Sequence, residues 1–136
     1  MASERVGIFG GTFDPPHVGH LVTAVDVRHE LRLDRVLLVV SNTPWQKVGS
    51  RPITPAADRL AMVEAAVAGV EGLEASAVEI DAGGLSYTAD TLATLLAKDP
   101  DLELFVILGA DAADFAVCRR CRAELPLRPG QQDIRA

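Results

Sequence analysis

The sequence predicts an α/β fold, a parallel sheet with helices on both faces. Short apolar runs at residues 6–9, 36–40 and 104–108, and a weaker one at 77–80, alternate with stretches of helical period. That alternation marks β-α-β units, whose strands are covered on both sides and so need no polar face of their own. With 136 residues, 49% of them hydrophobic, the chain has apolar matter for one core and none to spare for a second module.

The first run, Val6-Gly7-Ile8-Phe9, ends in Gly10-Gly11, and Pro15-Pro16 then stop the strand and start a helix over 17–31, where Leu21, Ala24, Val25 and Leu31 keep roughly a 3.6 period. The second strand is expected at 36–40. A helix over 55–70 follows Thr54 as N-cap with Pro55 at the first helical position, and Leu60, Val63 and Val67 form its apolar stripe. After the weak strand at 77–80, a helix over 88–97 carries Leu92, Leu95 and Leu96 on one side, with Thr88 as its cap. The last strand is expected at 104–108. No internal repeat or low-complexity tract interrupts the chain.

Parallel strands place ligands beyond their carboxyl ends, so the loops after Phe9, Val40 and Leu108 should carry the chemistry. The first holds Gly10-Gly11-Thr12-Phe13-Asp14-Pro15-Pro16-His17-Val18-Gly19-His20-Leu21. Two glycines let backbone N–H groups approach a ligand closely, and His17 and His20, three apart, fall on one side of the following helix. Donors so arranged suit a polyphosphate, and Gly19 clears the space between the two histidines for a nucleotide. The second loop, Ser41-Asn42-Thr43-Pro44-Trp45-Gln46-Lys47, offers a mobile ammonium on Lys47 and a flat face on Trp45. Gly83-Gly84-Leu85-Ser86-Tyr87-Thr88 permits a tight turn into a helix whose N–H groups could hold a small anion. Gly109 and Asp111, after the last strand, would allow close approach of a nucleoside and a hydrogen bond to a ribose or base edge; a helix-capping aspartate explains Asp111 equally well. Arg59 has three readings: a substrate contact, a group that orients Asp58 or the lysine loop, or a solvated arginine of little consequence.

On these residues the chain resembles the nucleotidyltransferases that carry the H-x-G-H motif, and G-G-T-F-D-P-P-H-V-G-H-L looks most like nicotinate mononucleotide adenylyltransferases. The resemblance implies a Rossmann-like fold of the adenine nucleotide alpha hydrolase-like kind. It covers about residues 6–111 and includes an N-x-P-x-x-K loop (Asn42, Pro44, Lys47), a D-R-x-x-M segment (Asp58, Arg59, Met62), an S-Y-T-x-D-T-L segment from Ser86, and G-x-D at Gly109 and Asp111. By resemblance, His17, His20 and Lys47 are catalytic; Gly10, Gly11, Thr12, Phe13, His17, His20, Gly109 and Asp111 bind ATP; and Asn42, Trp45, Lys47, Ser86, Tyr87 and Thr88 bind the mononucleotide. The implied reaction joins ATP and nicotinate mononucleotide into the dinucleotide, with Mg²⁺ accompanying ATP and no metal site built from protein ligands. The S-Y-T segment speaks against relatives that act on phosphopantetheine or on sugar and polyol phosphates.

A net charge of −6 argues against a general nucleic-acid surface. No run of about eighteen apolar residues is present, and the first residues lack a secretion signal, so a cytoplasmic protein with no membrane partner is expected. Cys118 and Cys121 form one C-x-x-C, which cannot complete a tetrahedral zinc site alone. By the same resemblance, which deteriorates beyond Ala113, the chain divides into a nucleotidyltransferase core over 1–113 and a divergent tail over 114–136. The tail lacks a convincing I-S-S-T-x-x-R phosphate segment, and Arg135 does not safely inherit its role. The C-terminal part of the fold is therefore expected to be incomplete, as in a truncated or frameshifted product. An exposed sheet edge would then favour association, which leaves a homo-oligomer open.

Overall fold

The computed structural model describes residues 3–44, 52–86, 88–108 and 116–119. Along the chain these form β1 (Arg5–Gly11), α1 (Val18–Glu30), β2 (Arg35–Val40), β3 (Thr43–Pro44), α2 (Ala56–Val67), β4 (Leu73–Ser76), α3 (Val78–Ala82), β5 (Leu85–Ser86), α4 (Thr88–Lys98), β6 (Glu103–Leu108) and β7 (Ala116–Arg119). Five strands make one sheet in the order β4-β2-β1-β6-β7. The first four are parallel, and β7 pairs antiparallel with β6, Val106 opposite Cys118. The chain winds outward from β1 through β2 to β4, then returns to the other side of β1 with β6. Strand order thus reverses between β1 and β6, which opens a crevice at their carboxyl ends.

Period-two alternation sorts the apolar residues onto two faces. Val36, Leu38 and Val40 of β2 join Phe9, Phe105 and Ile107 beneath α1 and α2, which contribute Ala24, Val27, Val63 and Val67. Leu37 and Val39 point the other way with Val6, Ile8, Leu104 and Val106, under Leu92 of α4. Helices on both faces of a parallel sheet are thus what the apolar runs produce. No helix among the described residues is long and apolar enough to cross a membrane.

Four local expectations are corrected. The weak strand lies at Leu73–Ser76, earlier than 77–80, because register with β2 sets it opposite Val36 to Val39. Val78–Ala82 is helix instead, and the Ser76 hydroxyl accepts from Val78 N at 3.4 Å where the strand gives way to it. Thr54 is not the cap of α2: Pro55 takes that position with extended ψ and no side-chain cap bond, while the backbone of Thr54 is engaged elsewhere. Thr88 is the first helical residue of α4 rather than its cap. In the region read as a divergent tail, β7 adds a strand that composition had not signalled.

Candidate functional site

His17 stands as the N-cap of α1, just outside the helix, with extended backbone (φ −140°, ψ 174°). Its Nδ1 accepts from Gly19 N at 3.1 Å, and His20 Nδ1 accepts from His17 N at 3.0 Å. Imidazoles here fill the two places of a capping box usually held by a hydroxyl and a carboxamide or carboxylate. With Nδ1 accepting in each ring, the proton of a neutral imidazole sits on Nε2, so each ring presents a donor on its far edge. The rings stack with centroids 3.8 Å apart, and Phe13 supports His20 edge-on at 4.9 Å. The histidine pair therefore comes together as its spacing implied, and Gly19 has a part in that. A Cβ there would lie 2.9 Å from His17 Cε1, so the glycine also makes room for the imidazole. Phe13 is 2% exposed at φ 52°; its ring braces the site from below, and only its backbone is left to meet a ligand.

Beside this turn lies a group whose environment differs from every ordinary expectation for its type. Arg59 of α2 is 1% exposed. Its Nε donates to Thr54 O at 2.7 Å, Nη1 to Thr12 O at 3.0 Å and Ser41 O at 2.6 Å, and Nη2 to Asn42 O at 2.9 Å. Burial pulls the guanidinium below its ordinary pKa, and the charge of Asp14 pulls it back up. Asp14 itself accepts from Thr54 N at 2.9 Å, tying the β1 turn to the start of α2 from the other side. Of the three readings of Arg59, the solvated one is excluded and the orienting one is realised, toward carbonyls of the loops. A signal was present in the sequence: Arg59, Val63 and Val67 recur at i, i+4 and i+8, placing a guanidinium on the buried stripe, where it needs acceptors.

The second loop and the glycine turn meet through the two-stranded parallel pairing of β3 with β5, Thr43 opposite Leu85 and Pro44 opposite Ser86. Asn42 Nδ2 donates to Gly84 O at 2.9 Å. The glycines make this possible, since Gly83 (φ 72°, ψ 176°) occupies a region essentially closed to side-chain-bearing residues. Asn42 thus holds two loops together with its side chain, and Ser86 and Thr88 sit on the segment so held. Gly10 and Gly11 end β1, with open space where a Cβ of Gly10 would project. Trp45, Lys47, Tyr87, Gly109 and Asp111 lie outside the described residues.

The arrangement is a strand, a turn and a helix bearing two imidazole donors at the carboxyl edge of a doubly wound sheet. A family model, described as cytidylyltransferase-like, matches residues 8–135. The chain belongs to the cytidylyltransferase-like family. Among similar members, a protein of Desulfatibacillum aliphaticivorans named "Probable nicotinate-nucleotide adenylyltransferase" is 55% identical over 108 residues, 79% of this chain and 49% of the relative. One of the same name from Corynebacterium kroppenstedtii is 49% identical over 124 residues, 90% of this chain and 58% of the relative. The chain spans about half the length of these curated relatives. Among solved structures, the cytidylyltransferase-like fold is matched by Plasmodium falciparum nicotinic acid mononucleotide adenylyltransferase complexed with NaAD, with a TM-score of 0.66 at 18% identity over 79% of this chain and 53% of that one.

Proposed function

We propose that this chain carries an adenylyltransferase site that joins ATP to nicotinate mononucleotide, forming nicotinate adenine dinucleotide and pyrophosphate. The observation that carries the reading is the capping box of His17 and His20, which sets two stacked imidazoles beyond the carboxyl end of β1 with both Nδ1 atoms spent on backbone N–H groups. The names of the relatives at about half identity support the choice of substrate.

In this reaction a phosphate oxygen of the mononucleotide attacks the α-phosphorus of ATP in line. A new P–O bond forms as the bond from the α-phosphorus to the bridging oxygen breaks, and pyrophosphate leaves. No protein nucleophile takes part, so catalysis is positioning and charge neutralisation. His17 and His20 would donate to ATP phosphate oxygens, with the N–H groups of Gly11 and Thr12 as further donors and Lys47 following the transferred phosphate. Gly10, Phe13, Gly109 and Asp111 complete the ATP side. Asn42, Trp45, Ser86, Tyr87 and Thr88 form the mononucleotide side, where N–H donors meet the pyridine carboxylate. Imidazole N–H edges and backbone amides suit phosphate oxygens rather than a cation. Mg²⁺ would therefore arrive with ATP, held by phosphates and water, and supply charge neutralisation on the leaving group.

Chromatographic detection of the dinucleotide from Mg-ATP and nicotinate mononucleotide tests this reading, with nicotinamide mononucleotide and phosphopantetheine as competing acceptors. Product with the nicotinate acceptor supports it; product only with phosphopantetheine replaces it. The second reading is a site that binds ATP without turnover, which saturable ATP binding with no dinucleotide formed would support.

A further inference from the structure

Four carbonyls converge on one guanidinium, and they come from three separate segments. Thr12 belongs to the turn after β1, Ser41 and Asn42 to the loop after β2, and Thr54 to the segment that leads into α2. The guanidinium is planar and its donors are fixed in a fork, so moving any one segment breaks bonds to the others. Nor can the fork itself shift easily. Arg59 shares its helix face with Val63 and Val67, which are packed into the core under β2.

We propose that Arg59 is a positioning residue for the transfer, fixing the separation between the β1 turn that takes the ATP phosphates and the β2 loop that takes the mononucleotide. This inference rests on the adenylyl-transfer reading. Arg59 touches neither substrate. Its four bonds are all to backbone carbonyls, and its side chain is buried. The histidine donors are set independently by the α1 cap, so losing the clamp disturbs ATP binding only through the Thr12 turn and degrades chiefly the alignment of attacking oxygen and α-phosphorus.

Two backbone amides report the clamp directly: Ser41 N–H, bonded to Gly11 O, and Thr54 N–H, bonded to Asp14. The experiment compares the parent chain with Arg59→Lys and Arg59→Met by steady-state kinetics and by native-state hydrogen exchange. In Arg59→Lys, kcat is expected to fall about 10- to 100-fold, the scale of a small misplacement of reacting groups, with KM for ATP within about threefold of the parent. Exchange at Ser41 and Thr54 should speed by roughly tenfold or more in both variants, relative to the β2 amides of Val36 to Val39. Arg59→Met should show a larger kcat loss than Arg59→Lys, because lysine restores the charge and some donors. A raised KM with unchanged kcat would make Arg59 a substrate contact and overturn the proposal. So would exchange that rises uniformly over loops and strands, which is the mark of a general stability role. If the parent releases no pyrophosphate, the transferase reading falls with the kinetic arm, and the exchange arm alone upholds or overturns the clamp.

Discussion

His17 performs two tasks that different substitutions separate. Its Nδ1 caps α1 through Gly19 N, and in the proposed reaction its Nε2 donates to phosphate. His17→Ala removes both and should cost about 1 kcal/mol of stability, the usual value of an N-cap, together with turnover. His17→Asn keeps a good cap, so thermal melting should return to the parent value while dinucleotide synthesis stays lost; recovery of both would make the histidine structural only. Gly19→Ala sets two effects of like size against each other. Alanine favours the helix by about 1 kcal/mol over glycine, and displacing the imidazole that a Cβ would meet at 2.9 Å forfeits a cap of about the same worth. Melting is expected to be nearly flat while activity falls. At this scale the sequence announced the pair His17 and His20, because a three-residue spacing forces proximity on any helix. It did not announce which ring edge each would spend on its own backbone, since that depends on the extended φ and ψ of the cap.

The decisive element-level event is the pairing of β3 with β5, which joins segments more than forty positions apart in the chain. Loop signals at Asn42 and Gly83-Gly84 were legible separately, whereas their union was not, because two-residue strands leave no periodic trace. Gly83→Ala should cost about 1–3 kcal/mol for its special backbone region, read by thermal melting. Asn42→Ala, which cuts the bond to Gly84 O, should raise KM for the mononucleotide more than KM for ATP, because only the former depends on the joined loops; equal changes in both would detach this pairing from substrate selection. The two misplaced helix starts have one cause. Thr54 and Thr88 have the composition of caps, but tertiary bonds engage the backbone of Thr54, leaving Pro55 at the cap of α2, and the boundary of α4 places Thr88 inside the helix. Likewise β4 buries only Leu73, so nothing in its own pattern outweighed the apolar run after it; pairing with β2 fixed its place.

For the molecule as a whole, the parallel order and two-sided burial follow from the unbroken apolar runs of β1, β2 and β6, which are the parts most legible in the sequence. Leu38, at 0% exposure in β2, is a direct probe of that core. Leu38→Ala should lose about 2–5 kcal/mol in urea denaturation, whereas a loss within about 0.5 kcal/mol would contradict the two-faced packing. Polar ties at the opposite edge matter less. Arg35 bridges Glu4 and Glu74 at 2.9 Å each. The Glu74 bond holds its guanidinium above the ordinary value against desolvation, but such half-exposed pairs contribute little. The tail showed least in the sequence: β7 is a four-residue edge strand whose pairing with β6 is set by the sheet, and its own composition of cysteine and arginine gave no strand signal.

Whether the histidine cap of α1 serves adenylyl transfer is decided by pyrophosphate release from Mg-ATP with nicotinate mononucleotide, run beside His17→Ala and His20→Ala. Release is expected from the parent chain and is expected to be lost in both variants. A folded parent that releases no pyrophosphate, or release that survives both substitutions, would contradict that role.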